Sequence, residues 1–496
     1  ASAGGGGKGM RSVFKETEFI NSLNEVRREA KNVFGDDRII IEKYIESGRH
    51  IEVQILGDNT GNVFHLFERE CTIQRRYQKI IEETPSKVLD KNIRKDMLEC
   101  AMQIGKKLRY KSLGTVEFIY DNKTKKFFFL EVNTRIQVEH PVTEEITGID
   151  LVGLQLKIAQ GEKISLDQGD IKSEGYAIEA RLYAENPASD FLPTSGKIQK
   201  LKFPKINGLR IDSDLKNGDL VNIYFDPMLA KIIAHDSSRE KAINKLKYAL
   251  SNIVFLGPTT NIELLKNILS SKSFVKGEYN TNFIFENNKI IQNDRDQSTI
   301  EKMAIVATLF RWSKRNIKKR LLKHMPSGWR NNFYSLQKEK FYFNGNYIEC
   351  EYKIVNGTFL FSFNKSNHNV SIIKAKGNML HAEINGVFKK YHIKEIDKSI
   401  YVHSFDFGNV CLQVADRYPG NEKEKEEKGY ISPMPSLVVD VFVKKGDKIK
   451  RNQPLIVLSS MKMENTLYSN EDGVIDLVNV VKGENIQAGH VLLKIK

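Results

Sequence analysis

The chain reads as a multidomain α/β + β protein. Three observations predict this class. Over residues 1 to about 290, strand-like runs alternate with helical patterns; over about 298–418, short strands with turn signals follow one helix; over about 429–496, a strand-and-turn unit occurs twice. In the first stretch, Ile39–Ile45, Ile51–Leu56 and Phe127–Val132 read as strands, while Ile93–Lys107, Leu151–Ala159 and Arg239–Leu250 carry apolar residues at helical spacing. In the second, a helix at Ile300–Phe310 precedes strands at Tyr342–Tyr352, Thr358–Phe363, Val370–Lys374, Met379–Ile384 and Val387–Ile393, which predicts a small antiparallel β-barrel. Residues 421–428 hold no apolar side chain and read as a solvated linker or a short exposed helix. In the third, Val439–Asp447 and Ile475–Glu484 each run from an alternating strand into a Lys-Gly-acid turn, predicting two related half-sheets.

At 496 residues and 40% hydrophobic, the chain has material for several buried cores, and no apolar run approaches the length of a membrane span. Cys71, Cys100, Cys350 and Cys411 are too widely spaced for a metal or disulfide framework, which favours a reducing compartment. The net charge of +15 raises the question of nucleic acid. The lysines are scattered, though, and the densest basic stretch, Arg315–Lys323, is not interleaved with aromatics. We therefore expect no nucleic acid and no membrane as partner; the basic bias suits anionic ligands such as nucleotides.

Two stretches of the first region carry chemistry. Gly4–Gly7 with Lys8 and Gly9 is a glycine run whose backbone N–H groups can approach phosphates, or a flexible connector; no Lys-Ser/Thr closes it as a P-loop. Glu131-Val132-Asn133-Thr134-Arg135-Ile136-Gln137-Val138-Glu139-His140-Pro141 is the denser signal. If extended, it places Glu131, Asn133, Arg135, Gln137 and Glu139 on one face. An ordinary half-exposed strand alternates likewise, but has no need of two acids, an amide pair and an arginine in this order. Gly114–Tyr120 also reads as a strand, and a hairpin through 121–126 would set Glu117 beside Glu131. Two neighbouring carboxylates repel unless a cation lies between them, which suits Mg²⁺ bound with nucleotide phosphates.

In the last region, Ser459-Ser460-Met461-Lys462-Met463-Glu464-Asn465 falls midway between the two repeats, which puts Lys462 at a hairpin tip where a modifying enzyme can reach it. A solvated hairpin lysine is the plain alternative, made unattractive by the Met-Lys-Met triplet inside a repeat.

The segment 429–496 resembles biotin carboxyl carrier domains, in which the lysine of Met-Lys-Met bears biotin; this implies a flattened β-barrel with biotin on Lys462. Ser459-Ser460 departs from the usual Glu-Ala. Residues 1 to about 290 resemble the ATP-grasp and C-terminal domains of biotin carboxylases, through Glu42-Lys43-Tyr44, Arg49-His50-Ile51-Glu52, Glu68-Arg69-Glu70-Cys71, Gln74-Arg75-Arg76, Glu82-Glu83-Thr84-Pro85, Asn133–Val142, Ala177–Arg181 and Phe225-Asp226-Pro227-Met228. The division implied is 1–145 (partial ATP-grasp), 146–292 (biotin carboxylase C-terminal), 298–418 (docking barrel), 421–428 (linker) and 429–496 (carrier).

The resemblance implies roles residue by residue. Gly6 and Gly7 would lie over the ATP phosphates; Glu42, Lys43, Tyr44 and Ile45 would hold adenine; His50, Gln74 and Tyr77 would touch the nucleotide; Lys79 would bind phosphate. Glu117, Glu131 and Asn133 would hold Mg²⁺ or Mn²⁺; Arg135, Gln137 and Val138 would hold bicarbonate; Glu139 would deprotonate it; Arg181 would stabilise charge on the biotin ureido oxygen. Tyr77 stands where many relatives have His, so nucleotide affinity should be altered. Relatives also carry a domain with ATP-binding lysines ahead of the glycine run, so the chain as given is expected to be a fragment unable to complete the ATP site alone.

The order carboxylase, barrel, carrier resembles the α subunits of methylcrotonyl-CoA and propionyl-CoA carboxylases. It implies ATP- and bicarbonate-dependent carboxylation of biotin on Lys462, a separate carboxyltransferase β subunit, an acyl-CoA acceptor, a biotin protein ligase, a hetero-oligomer, and residence in bacterial cytoplasm or mitochondrial matrix. A carrier scaffold with an inactive nucleotide domain, and a pyruvate or urea carboxylase subunit, are the competing expectations.

Overall fold

The computed structural model describes residues 1–2, 9–222, 224–292, 295–321, 323–325, 327–329, 335–364, 366–416, 429–432, 435–460, 463–487 and 489–496. Gly6, Gly7, Lys462 and the 421–428 segment lie outside the described residues, as do the side chains of 429 and 463–465.

After helix α1 (Glu16–Phe34), the first region is organised on one sheet. Its strands are β1 (Gly48–Gly57), β2 (Val63–Arg75), β3 (Gln78–Thr84), β4 (Ser112–Asp121), β5 (Phe127–Asn133), β6 (Tyr176–Tyr183), β7 (Leu209–Asp212) and β8 (Met228–Asp236). The spatial order is β7-β8-β6-β3-β2-β1-β4-β5, and every pairing in it is antiparallel. The two-residue period of β1 explains how this sheet makes a site. Ile51, Val53 and Ile55 point to one face and pack on Met97, Leu98 and Ala101 of α2 (Lys91–Lys107). His50, Glu52 and Gln54 point to the other. α2 starts at Asp90, whose carboxylate accepts from the N–H groups of Asn92 and Ile93, an N-cap that the apolar periodicity alone does not reveal. Helices α3 (His140–Thr147) and α4 (Leu151–Ala159) follow β5, and α5 (Arg239–Asn252) packs Ala242, Ile243, Leu246 and Leu250 with Ile178, Ala180 and Ile232 of β6 and β8.

Residues Ile39–Ile45 correct the sequence reading: they form no strand. Both edges of β1, the strand that follows, are already taken by β2 and β4, and Ile40 and Ile41 stand 62% and 72% exposed.

The second region is a closed antiparallel barrel of eight strands, from Gln337–Phe343 to Gly408–Val414. Its helix is longer than the periodicity suggests, Gln297–Ile317, and the Met303–Phe310 segment is buried in the barrel core with Phe341, Ile348 and Cys350. Tyr342–Tyr352 is not one strand. Asn344 and Gly345 take positive φ (47° and 82°) and fold it into a hairpin, Gln337–Phe343 against Asn346–Val355. Ser399–Ser404 and Gly408–Val414, not foreseen, close the barrel.

In the third region the duplication is visible. Ser436–Val441 pairs with Pro454–Ser460 and Asn485–Ile486, and its counterpart Gly473–Val478 pairs with Val491–Ile495 and Lys448–Ile449. Both Lys-Gly-acid turns close alike: Lys444 N donates to Asp447 Oδ2 at 2.7 Å, and Val481 N to Glu484 Oε2 at 3.0 Å. Gly446 and Gly483 supply the φ of 93° and 86° these turns need. Ser460 pairs with Met463 across the two residues that include Lys462.

Candidate active site

The polar face of the sheet gathers charges from six strands, β1 to β6. Register puts Glu52 opposite Arg69 of β2 and Glu117 of β4, and Glu117 opposite Glu131 of β5. The hairpin read from the sequence therefore forms with the two acids directly paired. The extended reading of 131–139 holds only to Asn133, where β5 ends. Beyond it the chain turns, and Glu139 becomes the residue before α3. Gln137 and Glu139 reach the site through this turn, while Arg135 stays exposed, with Nη2 3.3 Å from Asn133 Oδ1.

Lys79 is the hub. Its Nζ lies 2.7 Å from Glu52 Oε2, 2.6 Å from Glu139 Oε1 and 3.3 Å from Glu117 Oε1. Burial opposes its charge, yet the acids around it hold the ammonium well above its ordinary value. Burial likewise opposes ionisation of Glu139, and Lys79, Arg181 and Arg69 outweigh it, keeping the carboxyl well below the usual range. Arg181 on β6 donates from Nε to Glu82 Oε1 at 2.6 Å and from Nη2 to Glu139 Oε2 at 2.9 Å. Glu82 itself is pushed up to about 7 by burial, with Arg181 pulling down and Glu139 pushing up.

Three members of this cluster carry no role in the sequence reading: Glu52, Arg69 and Glu82. Fully buried Arg69 donates to Glu52 Oε1 (2.6 Å), Gln54 Oε1 (2.7 Å), Gln137 Oε1 (3.1 Å), Thr143 Oγ1 (3.1 Å) and Thr115 Oγ1 (3.2 Å), and so ties β1, β4, the 134–139 turn and α3 together. The two-residue period from His50 was signal enough for Glu52. Arg69 sits in Glu-Arg-Glu-Cys, whose charges look like a solvated run until the sheet buries them.

Glu117, Glu131 and Asn133 suit a divalent cation. Asn133 Nδ2 donates to Glu117 Oε1 and Glu131 Oε1, both at 3.0 Å, so an amide donor bridges the carboxylates where a cation would. The donors available, two carboxylates and an amide oxygen, are the hard oxygen ligands Mg²⁺ and Mn²⁺ prefer. Burial pushes Glu117 up, but His50 (Nε2 3.0 Å from Oε2), Lys79 and Gln137 (Nε2 2.6 Å from Oε1) hold it at about 2, ionised and ready for a metal.

The other named residues fall as follows. Gln74 is buried near the end of β2, opposite Lys79. Tyr77 is in the two-residue turn between β2 and β3, with φ of 47° at Arg76 and 66° at Tyr77, and the residue is 55% exposed. Glu42, Lys43 and Tyr44 are exposed and Ile45 half-buried in the loop before β1. Val138 offers its carbonyl to Lys231 Nζ at 3.2 Å.

Comparison with known proteins decides the family. Residues 1–167 match the description "Carbamoyl-phosphate synthase L chain, ATP binding domain", 179–286 "Biotin carboxylase C-terminal domain" and 430–495 "Biotin-requiring enzyme". The methylcrotonoyl-CoA carboxylase subunit alpha of Dictyostelium discoideum is 37% identical over 497 residues, covering 95% of this chain and 70% of that protein. The chain belongs to the biotin-dependent carboxylase α-subunit family. The propionyl-CoA carboxylase alpha chain of Sus scrofa is 34% identical over 535 residues, covering all of this chain and 70% of that one. Among solved structures, the biotin carboxylase domain of Hydrogenobacter thermophilus 2-oxoglutarate carboxylase, with MgADP, ADP and bicarbonate, superposes with a TM-score of 0.58 at 41% identity, over 60% of this chain and 65% of that one. Biotin carboxylase of Campylobacter jejuni gives 0.56 at 39% identity, over 58% and 64%. As a member of this family the chain is a ligase, with biotin, ATP and a divalent metal as its cofactors.

Proposed function

We propose that the chain uses ATP and bicarbonate to carboxylate biotin borne on Lys462, and that the carboxyl group then passes to an acyl-CoA on a separate carboxyltransferase β subunit. The carrying observation is the convergence of Lys79, Glu139 and Arg181 beside the Glu117–Glu131 pair. In this reading Glu139 takes the bicarbonate proton. With Lys79 and Arg181 both on it, Glu139 is a weak base in the free protein. Nucleotide phosphates compete for Lys79, and when that ion pair loosens the carboxylate becomes more basic, so base strength arrives with the substrate. Arg135, Gln137 and Val138 hold the bicarbonate, and Arg181, kept in place by Glu82, faces charge growing on the ureido oxygen. Glu117, Glu131 and Asn133 hold Mg²⁺ or Mn²⁺, which would neutralise and align the phosphates. Gly6 and Gly7, the Glu42–Ile45 loop, His50, Gln74 and Tyr77 complete the nucleotide site. Biotin, once attached, supplies a group that accepts the carboxyl at one site and releases it at another.

Identity to the methylcrotonoyl-type relative, 37% against 34% for the propionyl type, favours a methylcrotonyl-CoA acceptor. A biotin protein ligase acting on the 429–496 unit, a hetero-oligomer with the β subunit, and residence in the mitochondrial matrix or bacterial cytoplasm complete the proposal. No helix among the described residues is long and apolar enough to cross a membrane. The test uses the full-length gene product coexpressed with a biotin ligase. Label from radioactive bicarbonate should enter the chain only with ATP, and not enter a Lys462→Arg variant. ATP-dependent label on the variant, or none on a chain whose biotinylation is verified by mass, would overturn the reading.

A further inference from the structure

The joint between the sheet region and the barrel carries chemistry that the carboxylation cluster does not use. Strand Lys200–Lys202, paired with Val254–Leu256, faces barrel strands Val387–Ile396 and Ser399–Ser404. The joint is fixed by directional bonds. Phe255 N donates to Asn409 Oδ1 at 2.9 Å, Asn409 Nδ2 to the Ile253 carbonyl at 3.0 Å, and Lys394 Nζ to the Gln199 carbonyl at 3.1 Å. Beside it lies a cleft of about 460 Å³. Its polar lining includes Lys202, Lys389, Lys390, His392 and His403 against one acid, Asp406, which pairs with Lys389.

These basic groups are crowded. Lys200 Nζ stands 2.9 Å from His392 Nδ1; an ammonium only donates, so Nδ1 accepts and the His392 proton is on Nε2. Asn409 settles the second ring. Its Oδ1 already accepts from Phe255 N, so His403 Nδ1, 3.1 Å away, donates to it. Burial first, then the neighbouring cations, push both imidazoles down to about 4, and burial with Lys202 and Lys394 lowers Lys200. Both rings are therefore uncharged at neutral pH, and the charges of the lining are the exposed Lys202 and Lys390 and the half-buried Lys389 paired with Asp406, an excess of cations that a bound polyanion neutralises. Phe388 and Phe405 also line the cleft, half-exposed at 49% and 50%, with Phe405 against Tyr248 at 5.8 Å between ring centroids. Flat apolar rings next to ammonium groups fit a ligand that is a heteroaromatic ring at one end and phosphate at the other. The volume is that of a small-molecule site, at a junction between units where such sites concentrate.

We propose that this cleft is a second, non-catalytic site for a nucleoside polyphosphate, its ring on Phe388 and Phe405 and its phosphates on Lys202, Lys390 and the Nε2–H of His392. Free ADP or ATP and the nucleotide end of coenzyme A share this chemistry.

The test is hydrogen exchange on the full-length biotinylated chain with ADP, coenzyme A or inorganic tripolyphosphate at up to about 1 mM. Protection is read at 199–203, 253–256 and 387–406, separately from the catalytic sheet. At least one nucleotide should protect these segments at a lower concentration than tripolyphosphate does. A Lys202→Glu/Lys390→Glu double variant should raise its half-protection concentration at least about tenfold, and Phe405→Ala should weaken the nucleotide while leaving tripolyphosphate unchanged. Protection by coenzyme A alone assigns the site to that carrier, and protection by both assigns it to nucleotides generally. No protection by either nucleotide, tripolyphosphate protecting as well as both, or variants that bind as the parent does would each overturn the proposal. Circular dichroism of the variants separates misfolding from lost binding.

Discussion

The carboxylation cluster is crowded with buried charge and the interdomain cleft with exposed and half-buried lysines, and they are balanced in opposite ways. On the sheet, Lys79 has three carboxylates within 3.3 Å, and Arg69 and Arg181 each hold an acid at 2.6 Å. In the cleft, three lysines and two neutral imidazoles share one lining acid. The first arrangement is neutralised from within, so an incoming anion must displace carboxylates before it gains a cation. The second is left for an anion to neutralise. Internal pairing favours selectivity and response to substrate; an unpaired set favours binding without rearrangement.

The balance on the sheet breaks most severely at Arg69. Arg69→Met leaves Glu52 buried without its guanidinium and removes five hydrogen bonds, which should cost about 3–5 kcal/mol. Amide exchange in β1 and β2 should quicken by about two to three and a half orders of magnitude (roughly 1.4 kcal/mol per tenfold). Exchange that stays within about threefold of the parent would show that water or a neighbour replaces the guanidinium.

Next in size is Glu139→Gln. Lys79 keeps Glu52 and Glu117, and Arg181 keeps Glu82, so the fold should persist. ATP-dependent labelling should fall by about 10²–10⁴ if the carboxylate is the base. A drop under about fivefold would assign the proton to another group.

Much of the site was legible because it is local. The Glu117–Glu131 pairing follows from two strands and a six-residue turn, and Asn133 follows by period. Arg69, Glu52 and Glu82 were not legible as a set, since Arg69 and Glu52 are 17 residues apart and Glu82 and Arg181 are 99 apart, and only the sheet order joins them. Gln137 and Glu139 were placed on the right side for an incomplete reason: the strand stops at Asn133 and a turn completes the approach. In the barrel, Asn344-Gly345 is a hairpin signal in plain view that an apolar run overrode, whereas the closing strands Ser399–Ser404 and Gly408–Val414 depend on a barrel circumference that no short window contains.

A third way to sharpen the contrast is pH. Glu82 is raised from 4.5 to about 7, chiefly by burial, so the native state holds its proton more tightly than the unfolded chain does. Its contribution to stability is complete below pH 4.5 and is lost as pH rises through about 7. Stability of the parent relative to Glu82→Gln should therefore decline between pH 5 and 8. A difference that is flat with pH, measured by urea titration at each pH, would show that Arg181 keeps Glu82 ionised throughout.

The smallest effect belongs to the cleft. Asp406→Asn removes the single acid from its lining and frees Lys389. Both groups are about one-third exposed, so solvent screens the change, and nucleotide affinity should rise only about two- to fivefold. The sign is what matters. On the sheet, where cations are already paired, Glu52→Gln should loosen the Arg69 and Lys79 network and destabilise the fold. In the cleft, losing an acid should improve binding and leave β1–β4 exchange unchanged. Weaker nucleotide binding in Asp406→Asn would mean that the Asp406–Lys389 pair positions Lys389 for the ligand, and the cleft would then be internally paired in the manner of the sheet.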